Sequence, residues 1–146
     1  MCEICQYAKA KRKTTHGKTT TVDLQSQGGF KKEHLRPGAS ISVDHFESRI
    51  KGRTYTSYGR PTSEHYVGGC VFVDHMSGYI HIEHQLGFSS SETIRAKQAY
   101  EKLCLDHGII VDTYLADNGV FKANTFVQHI LEHSQRLRLC GVNAHH

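Results

Sequence analysis

Asp44 and Asp117 each follow a short apolar run. The first ends Ile41-Ser42-Val43-Asp44, and the second ends Thr113-Tyr114-Leu115-Ala116-Asp117, with Asn118-Gly119 directly after it. Carboxylates are hard oxygen donors, and Mg²⁺ typically takes one or two of them, filling its other positions with water and substrate phosphate. A phosphodiester resists attack because its oxygens already carry negative charge. Two divalent ions roughly 3.5–4 Å apart relieve that by activating the nucleophile and stabilising the leaving oxygen. Phosphoryl transfer is thus the chemistry that suits this pair. Plainer roles exist for the same residues. Asp-Asn-Gly is an ordinary turn sequence that needs no metal, and a strand-end carboxylate such as Asp44 can simply be hydrogen-bonded in place. Asp74 rivals Asp44, since Val73-Asp74-His75 repeats Val43-Asp44-His45, but its place at a hairpin mouth points to turn chemistry. Helix capping accounts for Glu92, and an edge-strand surface for Glu83.

The elements that must position these aspartates can be read from periodicity and turn residues. Residues 40–46 alternate as a strand, with Asp44 late in it and on the opposite face from Val43 and His45. Residues 47–65 carry Lys51-Gly52-Arg53 and Tyr58-Gly59-Arg60-Pro61 with little periodicity, and read as a polar excursion between strands. Gly68-Gly69 leads into Cys70–Asp74, and Ser77-Gly78 turns into Tyr79–His84, which is a hairpin pattern. Ser89-Ser90-Ser91 offers an N-cap with Glu92 in the first turn, where the helix dipole favours a negative charge. Ile94, Ala96, Ala99, Tyr100, Leu103 and Cys104 form the apolar stripe of that helix, and His107-Gly108 ends it. Ile109–Ala116 reads as the next strand, Asn124 or Thr125 as the cap of a second helix to about His133, and Leu137–Cys140 as a last short strand. The order β, ββ, α, β, α, β predicts an α/β fold, a mixed sheet with helices on its faces. Open sheets bind ligands beyond the carboxyl ends of their strands, a condition Asp117 meets.

At 146 residues the chain is long enough for one domain with a proper core. Its 38% hydrophobic and 22% charged residues exclude a disordered or membrane composition. No apolar run approaches the roughly 20 residues of a bilayer span, so no membrane partner is expected. Met1-Cys2-Glu3-Ile4-Cys5 has no signal-peptide core, which points to an intracellular protein. Five cysteines, an odd number, argue for free thiols in a reducing compartment. Cys70, Cys104 and Cys140 sit in apolar patterns and read as buried small hydrophobes.

The charge is unevenly spread. Residues 1–40 hold 8 Lys/Arg against 3 Asp/Glu, whereas residues 41–146 hold 10 against 11, so the whole basic excess lies in the leading segment. Lys9, Lys11, Arg12 and Lys13 form its centre and suit contact with nucleic-acid phosphates, or else a solvated tail. The organisation expected is a Cys-x-x-Cys knuckle and basic stretch over residues 1–13, an extended linker over 14–39, and an α/β core over 40–146.

Several local stretches, in this order, resemble the integrase region of copia-type retrotransposons, within the retroviral integrase family. Cys2-x-x-Cys5 with the basic residues after it is similar to the end of the family's pre-integrase zinc module. Ser42-Val43-Asp44-His45-Phe46 resembles the strand bearing the first catalytic aspartate, and Phe72-Val73-Asp74-His75-Met76-Ser77-Gly78-Tyr79 the next strand and turn. Leu115-Ala116-Asp117-Asn118-Gly119 resembles the second catalytic aspartate with its Asn-Gly, and Gly141-Val142-Asn143-Ala144-His145-His146 the approach to the family's Asn-Gly-x-x-Glu segment.

The resemblance implies an RNase H-like fold and a DDE-type polynucleotidyl transferase. Such an enzyme processes the 3′ ends of element DNA with water and then joins them to target DNA. Asp44 and Asp117 would be its first two catalytic ligands for Mg²⁺ or Mn²⁺, and Asn118 a nucleic-acid contact. The resemblance also implies DNA partners, admits a second copy of the chain, and implies work in the nucleus. It puts the catalytic glutamate a few residues beyond His146 and two zinc-binding histidines upstream of Met1. The expectation is therefore a core incomplete at both ends, inactive as it stands, with Cys2 and Cys5 as half a site that takes Zn²⁺ only with ligands from outside the chain. A non-catalytic nucleic-acid-binding module and an RNase H-type nuclease are the competing functions. Gly119-x-Phe121 and Asn143-Ala144-His145-His146 match integrases rather than the nuclease.

Overall fold

Alternation of Ile41, Val43 and His45 against Ser42, Asp44 and Phe46 does begin a strand in the computed structural model, which describes residues 36–140. That strand, β1, runs much further than its apolar pattern, over Ile41–Arg53, and its partner β2 spans His65–Asp74. The two pair antiparallel from Ile41↔Asp74 to Glu47↔Gly68, then again at Gly52↔Tyr66 and Arg53↔His65 after a bulge. Residues 47–53, read as part of an irregular excursion, are therefore strand and form a two-stranded ribbon with the start of β2, while residues 54–64 are the polar connection that the sequence suggested. Nearly every side chain on the ribbon meets solvent, so backbone pairing sets its structure and leaves no apolar alternation to read. Its tip is a short 3₁₀ turn, Tyr55–Ser57, followed by Tyr58 and Gly59 at positive φ (45° and 80°). Asp44 consequently lies well inside β1 rather than near its end.

Strand β3, Ile80–Gln85, pairs antiparallel with β2, closing the expected hairpin. Asp74 holds its mouth: the carboxylate accepts bonds from the Ser77 hydroxyl and the amides of Ser77, Met76 and Gly38. Burial raises its pKa, but those bonds outweigh the burial and hold it below the usual carboxylate range. Strand β4 is short, Thr113–Ala116, and β5 is Arg136–Leu139. The sheet order is β3-β2-β1-β4-β5, with β1 parallel to β4 and β4 parallel to β5. Ile109–Asp112 was expected within β4 but stands outside it. There the Asp112 amide donates to Gly38 O, and Arg36 donates to both the Asp112 carboxylate (2.8 Å) and Ile110 O (3.0 Å). Arg36 to Ala39, at the end of the segment read as linker, thus fasten to the sheet.

Helix α1, Ser90–Asp106, begins as its sequence says: Ser89 Oγ accepts the Glu92 amide, a cap generally worth about 1 kcal/mol. Thr93, Ala96, Lys97, Tyr100 and Cys104 form its buried stripe, and Tyr100 stacks on Phe72 at 4.6 Å. Helix α2, Asn124–Glu132, has Ala123 at its N-cap, and neither Asn124 nor Thr125 caps it. Its position comes from Phe126 and Ile130, both buried, with Phe121 edge-on to Phe126. The core joins these residues to Ile41, Val43, Cys70, Phe72, Tyr114 and Ala116, which are one face of the sheet. The other face is more open, with Ile80 and Ile82 exposed beside half-buried Val73 and Val71. Cys70 and Cys104 are buried as expected, but Cys140 is exposed, because it lies just past β5 with no layer over it. No helix among the described residues is long and apolar enough to cross a membrane.

One charge is fully enclosed. Lys97 is 0% exposed, and its ammonium bonds the Glu101 carboxylate at 2.9 Å, which also accepts from Tyr114 Oη and Gln135 Nε2. Removing one partner of a buried pair strands the other, generally at a cost of about 3–5 kcal/mol. Glu101→Gln should therefore lower stability by that order in urea denaturation. Lys97→Met should cost distinctly less, since Glu101 keeps its two other donors. Equal losses, or the reverse order, would contradict this account of the network.

Candidate metal and nucleic-acid site

Asp44 and Asp117 are brought together by strand register. The rungs Ile41↔Tyr114 and Ser42↔Leu115 each join residues 73 positions apart, and Asp44 and Asp117 have the same separation. Asp117 is the first residue beyond β4, so the register carried two residues further sets it beside Asp44. Side chains at matching positions of parallel neighbours leave the sheet on the same side. Both carboxylates are exposed. They sit next to the seam between antiparallel and parallel halves, with β1 shared by both.

Each aspartate is fixed by one backbone amide. His45 N–H donates to Asp44 Oδ1 (2.8 Å), and Gly119 N–H donates to Asp117 Oδ1 (3.0 Å). A carboxylate has about four acceptor sites, so one bond apiece orients the group and leaves capacity for a cation. A Cβ at residue 119 would stand 3.1 Å from Asp117 Oδ1, tight enough to push the carboxylate aside by a few tenths of an ångström. Asn118 is exposed and turns its amide inward, donating to Cys140 O at 2.8 Å, so it latches the exit of β4 to the end of β5.

Behind the carboxylates lies His45, a residue that sequence reading used only as a face marker. Its ring stacks on Phe121 at 4.6 Å, meets Phe88 edge-on, and shares a hydrogen bond with Thr93 Oγ1 (3.1 Å). Burial holds its pKa below the ordinary histidine value, against the opposing pull of Asp117 and Asp44, whose charges both reach it. The imidazole therefore forms a neutral floor to the site. The signal that could have found it is the half-apolar alternation that makes His45 the core-side neighbour of Asp44.

Among the described residues no group of three or more His, Cys, Asp or Glu side chains is arranged to hold a metal ion. The donor set is the carboxylate pair alone, which fits a hard divalent cation completed by water and phosphate. Cys2, Cys5, Lys9, Lys11, Arg12 and Lys13 lie outside the described residues, as does the terminal Gly141–His146 stretch.

With this architecture in view, the chain can be placed among known folds. It is similar to the catalytic core domain of HTLV-2 integrase in complex with magnesium, in its dimeric form, with a TM-score of 0.56 and 22% identity over 72% of this chain and 62% of that one. The trimeric form of the same domain gives 0.56 and 20% identity, over 73% of this chain and 62% of that one. An integrase chain from the simian T-cell lymphotropic virus intasome in complex with PP2A regulatory subunit B56 gamma gives 0.54 and 19% identity, over 73% and 34%. The match covers less than two thirds of each of these chains. The fold is thus the RNase H-like fold of integrase catalytic cores. No protein-family model matches the sequence, and no curated protein is similar to it.

The depressed pKa of His45 has a consequence for stability. The unfolded chain takes up this proton near pH 6.5 and the folded one only at lower pH, so stability falls as pH drops through that interval. His45→Phe, which keeps a ring against Phe121, should flatten the decline of the urea midpoint between pH 7.5 and about 5.5. His129, also depressed by burial, retains its share of the slope in that variant. An unchanged slope would show that His45 carries no such load.

Proposed function

We propose that this chain supplies the core of a retroelement integrase of copia type, in which Asp44 and Asp117 hold Mg²⁺ or Mn²⁺ against a DNA phosphodiester. The observation that carries the reading is the β1–β4 register, which sets two exposed carboxylates side by side on an integrase-core fold. Hard oxygen donors with free acceptor capacity suit the cation, and the HTLV-2 domains of like fold are described in complex with magnesium.

A bound cation would neutralise phosphate charge and activate the attacking oxygen. The protein's own part is to fix the two carboxylates, keep residue 119 clear of Asp117, and back the site with a neutral imidazole. In end processing, water oxygen forms a bond to phosphorus as the bond to the 3′-oxygen breaks. In joining, the freed 3′-hydroxyl forms a bond to a target phosphorus, and the target's own 3′-oxygen leaves. The resemblance implies a third carboxylate, a glutamate, as the partner of these two. Element ends and target DNA are the partners, with Lys9, Lys11, Arg12 and Lys13 supplying phosphate contacts. A second copy of the chain suits the dimeric and trimeric forms of its structural neighbours. Chromosomal integration would locate the work in the nucleus. Cys2 and Cys5 would supply two of the four ligands that a structural Zn²⁺ takes.

The direct test is a thermal melt with and without saturating MnCl₂. The 146-residue chain should melt higher with the ion, by a few degrees, and Asp117→Asn and Asp44→Asn should each lose that gain. A folded chain indifferent to Mn²⁺ and Mg²⁺ would remove the site. The same chain should bind duplex DNA with affinity falling steeply as salt rises.

A further inference from the structure

The β1–β2 ribbon carries a second surface that the carboxylate pair does not explain. Between 47 and 66 stand Arg49, Lys51, Arg53 and Arg60 against Glu47 and Glu64, and none of the four cations is in an ion pair among the described residues. Tyr55 and Tyr58 are 81% and 90% exposed at its tip, far more than folding requires. At the base of the ribbon opens a groove of about 380 Å³. Phe46, Tyr66 and His84 line it, with Tyr55 and Arg53 at its rim.

A glycine pair shapes this groove. Phe46 pairs with Gly69, and Gly69 with His84, so a side chain is missing from the middle of that row. A Cβ on Gly69 would meet the Phe46 ring at 2.8 Å. The Phe46 ring instead lies across the glycine and approaches His84 edge-on at 6.4 Å, while Tyr66 packs on His84 at 5.3 Å. Gly68 faces the other way, where a Cβ would meet the Phe46 carbonyl and the Phe88 ring, so its bareness lets β1 and β2 approach closely beneath the groove. The result is an aromatic-lined slot within the size range of small-ligand sites.

The geometry points to a single-stranded nucleic-acid segment as the occupant: a nucleobase held in the Phe46–Tyr66–His84 groove and stacked against Tyr55 at its rim, its backbone tracked by Arg53 and the neighbouring ribbon cations. Unpaired cations set among aromatic rings are the combination by which proteins hold single strands without reading sequence. The location supports the same occupant. Asp44 and Phe46 alternate onto one face of β1, about 6.7 Å apart along the strand, comparable to one nucleotide of extended chain. A strand laid along β1 would present a phosphate to the carboxylates and its neighbouring base to the groove. That link to the carboxylates rests on the functional reading above, whereas the groove's own affinity does not.

The experiment follows fluorescence anisotropy of a labelled oligothymidylate, and of an abasic strand of the same length, against the 146-residue chain in EDTA. Tyr55→Ala and Arg53→Gln alter exposed side chains, and circular dichroism checks that each variant folds. Each should weaken oligothymidylate binding on the order of tenfold, the scale of one stacked base. The abasic strand should bind more weakly than oligothymidylate and be indifferent to Tyr55→Ala, because it has no base to stack. Equal affinity for the two strands, no effect of Tyr55→Ala, or a preference for duplex over single strand would each overturn the proposal. Binding in EDTA that survives Asp44→Asn upholds the groove whether or not the carboxylates hold a cation, so the two readings fail separately.

Discussion

Everything at the site depends on the parallel pairing of β1 with β4. Two carboxylates distant in sequence become neighbours only because Ile41 meets Tyr114 and Ser42 meets Leu115. The side-chain period in a strand is two, so a slip of one residue would send Asp44 and Asp117 to opposite faces. Burial prevents that slip. Ile41, Val43, Tyr114 and Ala116 are all enclosed beneath the helices; moving β1 by one residue would bury Ser42 and Asp44 in place of Ile41 and Val43, and moving β4 would bring Thr113 or Asp117 inward beside Leu115. The apolar face thus fixes the polar one. The segments between the strands can vary in length without disturbing the pair.

Local chemistry was legible in the sequence, and tertiary pairing was not. Ser89 capping Glu92, the Asp74 hairpin mouth and the Asp117-Asn118-Gly119 turn each carry their bonding partners within a few residues, so their chemistry could be read directly. The ribbon could not be read as strand by apolar period, since solvent on both sides removes that pattern. A subtler signal was present in Arg49, Lys51 and Arg53, whose cations recur at every second residue. Ile109–Asp112 misled in the other direction: its apolar character suggested strand, but its bonds are scattered over Gly38, Arg36, Cys104, Gln135 and Arg136 and form no ladder with β1. The two aspartates were identifiable by residue type and, for Asp117, by the Asn118-Gly119 pair directly after it. Their adjacency was not, because no spacing rule links positions so far apart.

The helix-covered face has an unusual occupant in Lys97. Its ammonium bonds Glu101 one turn along α1, and Glu101 in turn ties the helix to β4 and to the turn before β5 by accepting from Tyr114 and Gln135, where aliphatic packing would tolerate small shifts. Burial lowers the lysine's pKa, while the Glu101 carboxylate beside it works to keep the charge. Tyr114, the residue that aligns with Ile41, is thereby held from both the sheet and the helix. Support for the strand pairing reaches the site through this contact.

The sheet is lopsided. On one side of β1 the ladder with β2 is long and continues into β3, whereas on the other side β4 and β5 are only four residues each. Backbone amides of β4 and β5 should accordingly exchange with solvent deuterium sooner than those of β1 and β2, because fewer bonds must break to free them. Asp44 stands on the rigid half and Asp117 on the softer one. Any ion or ligand clasped by both would act as a brace across the two halves, and its arrival would register as slowed exchange in β4, well away from the atoms it touches.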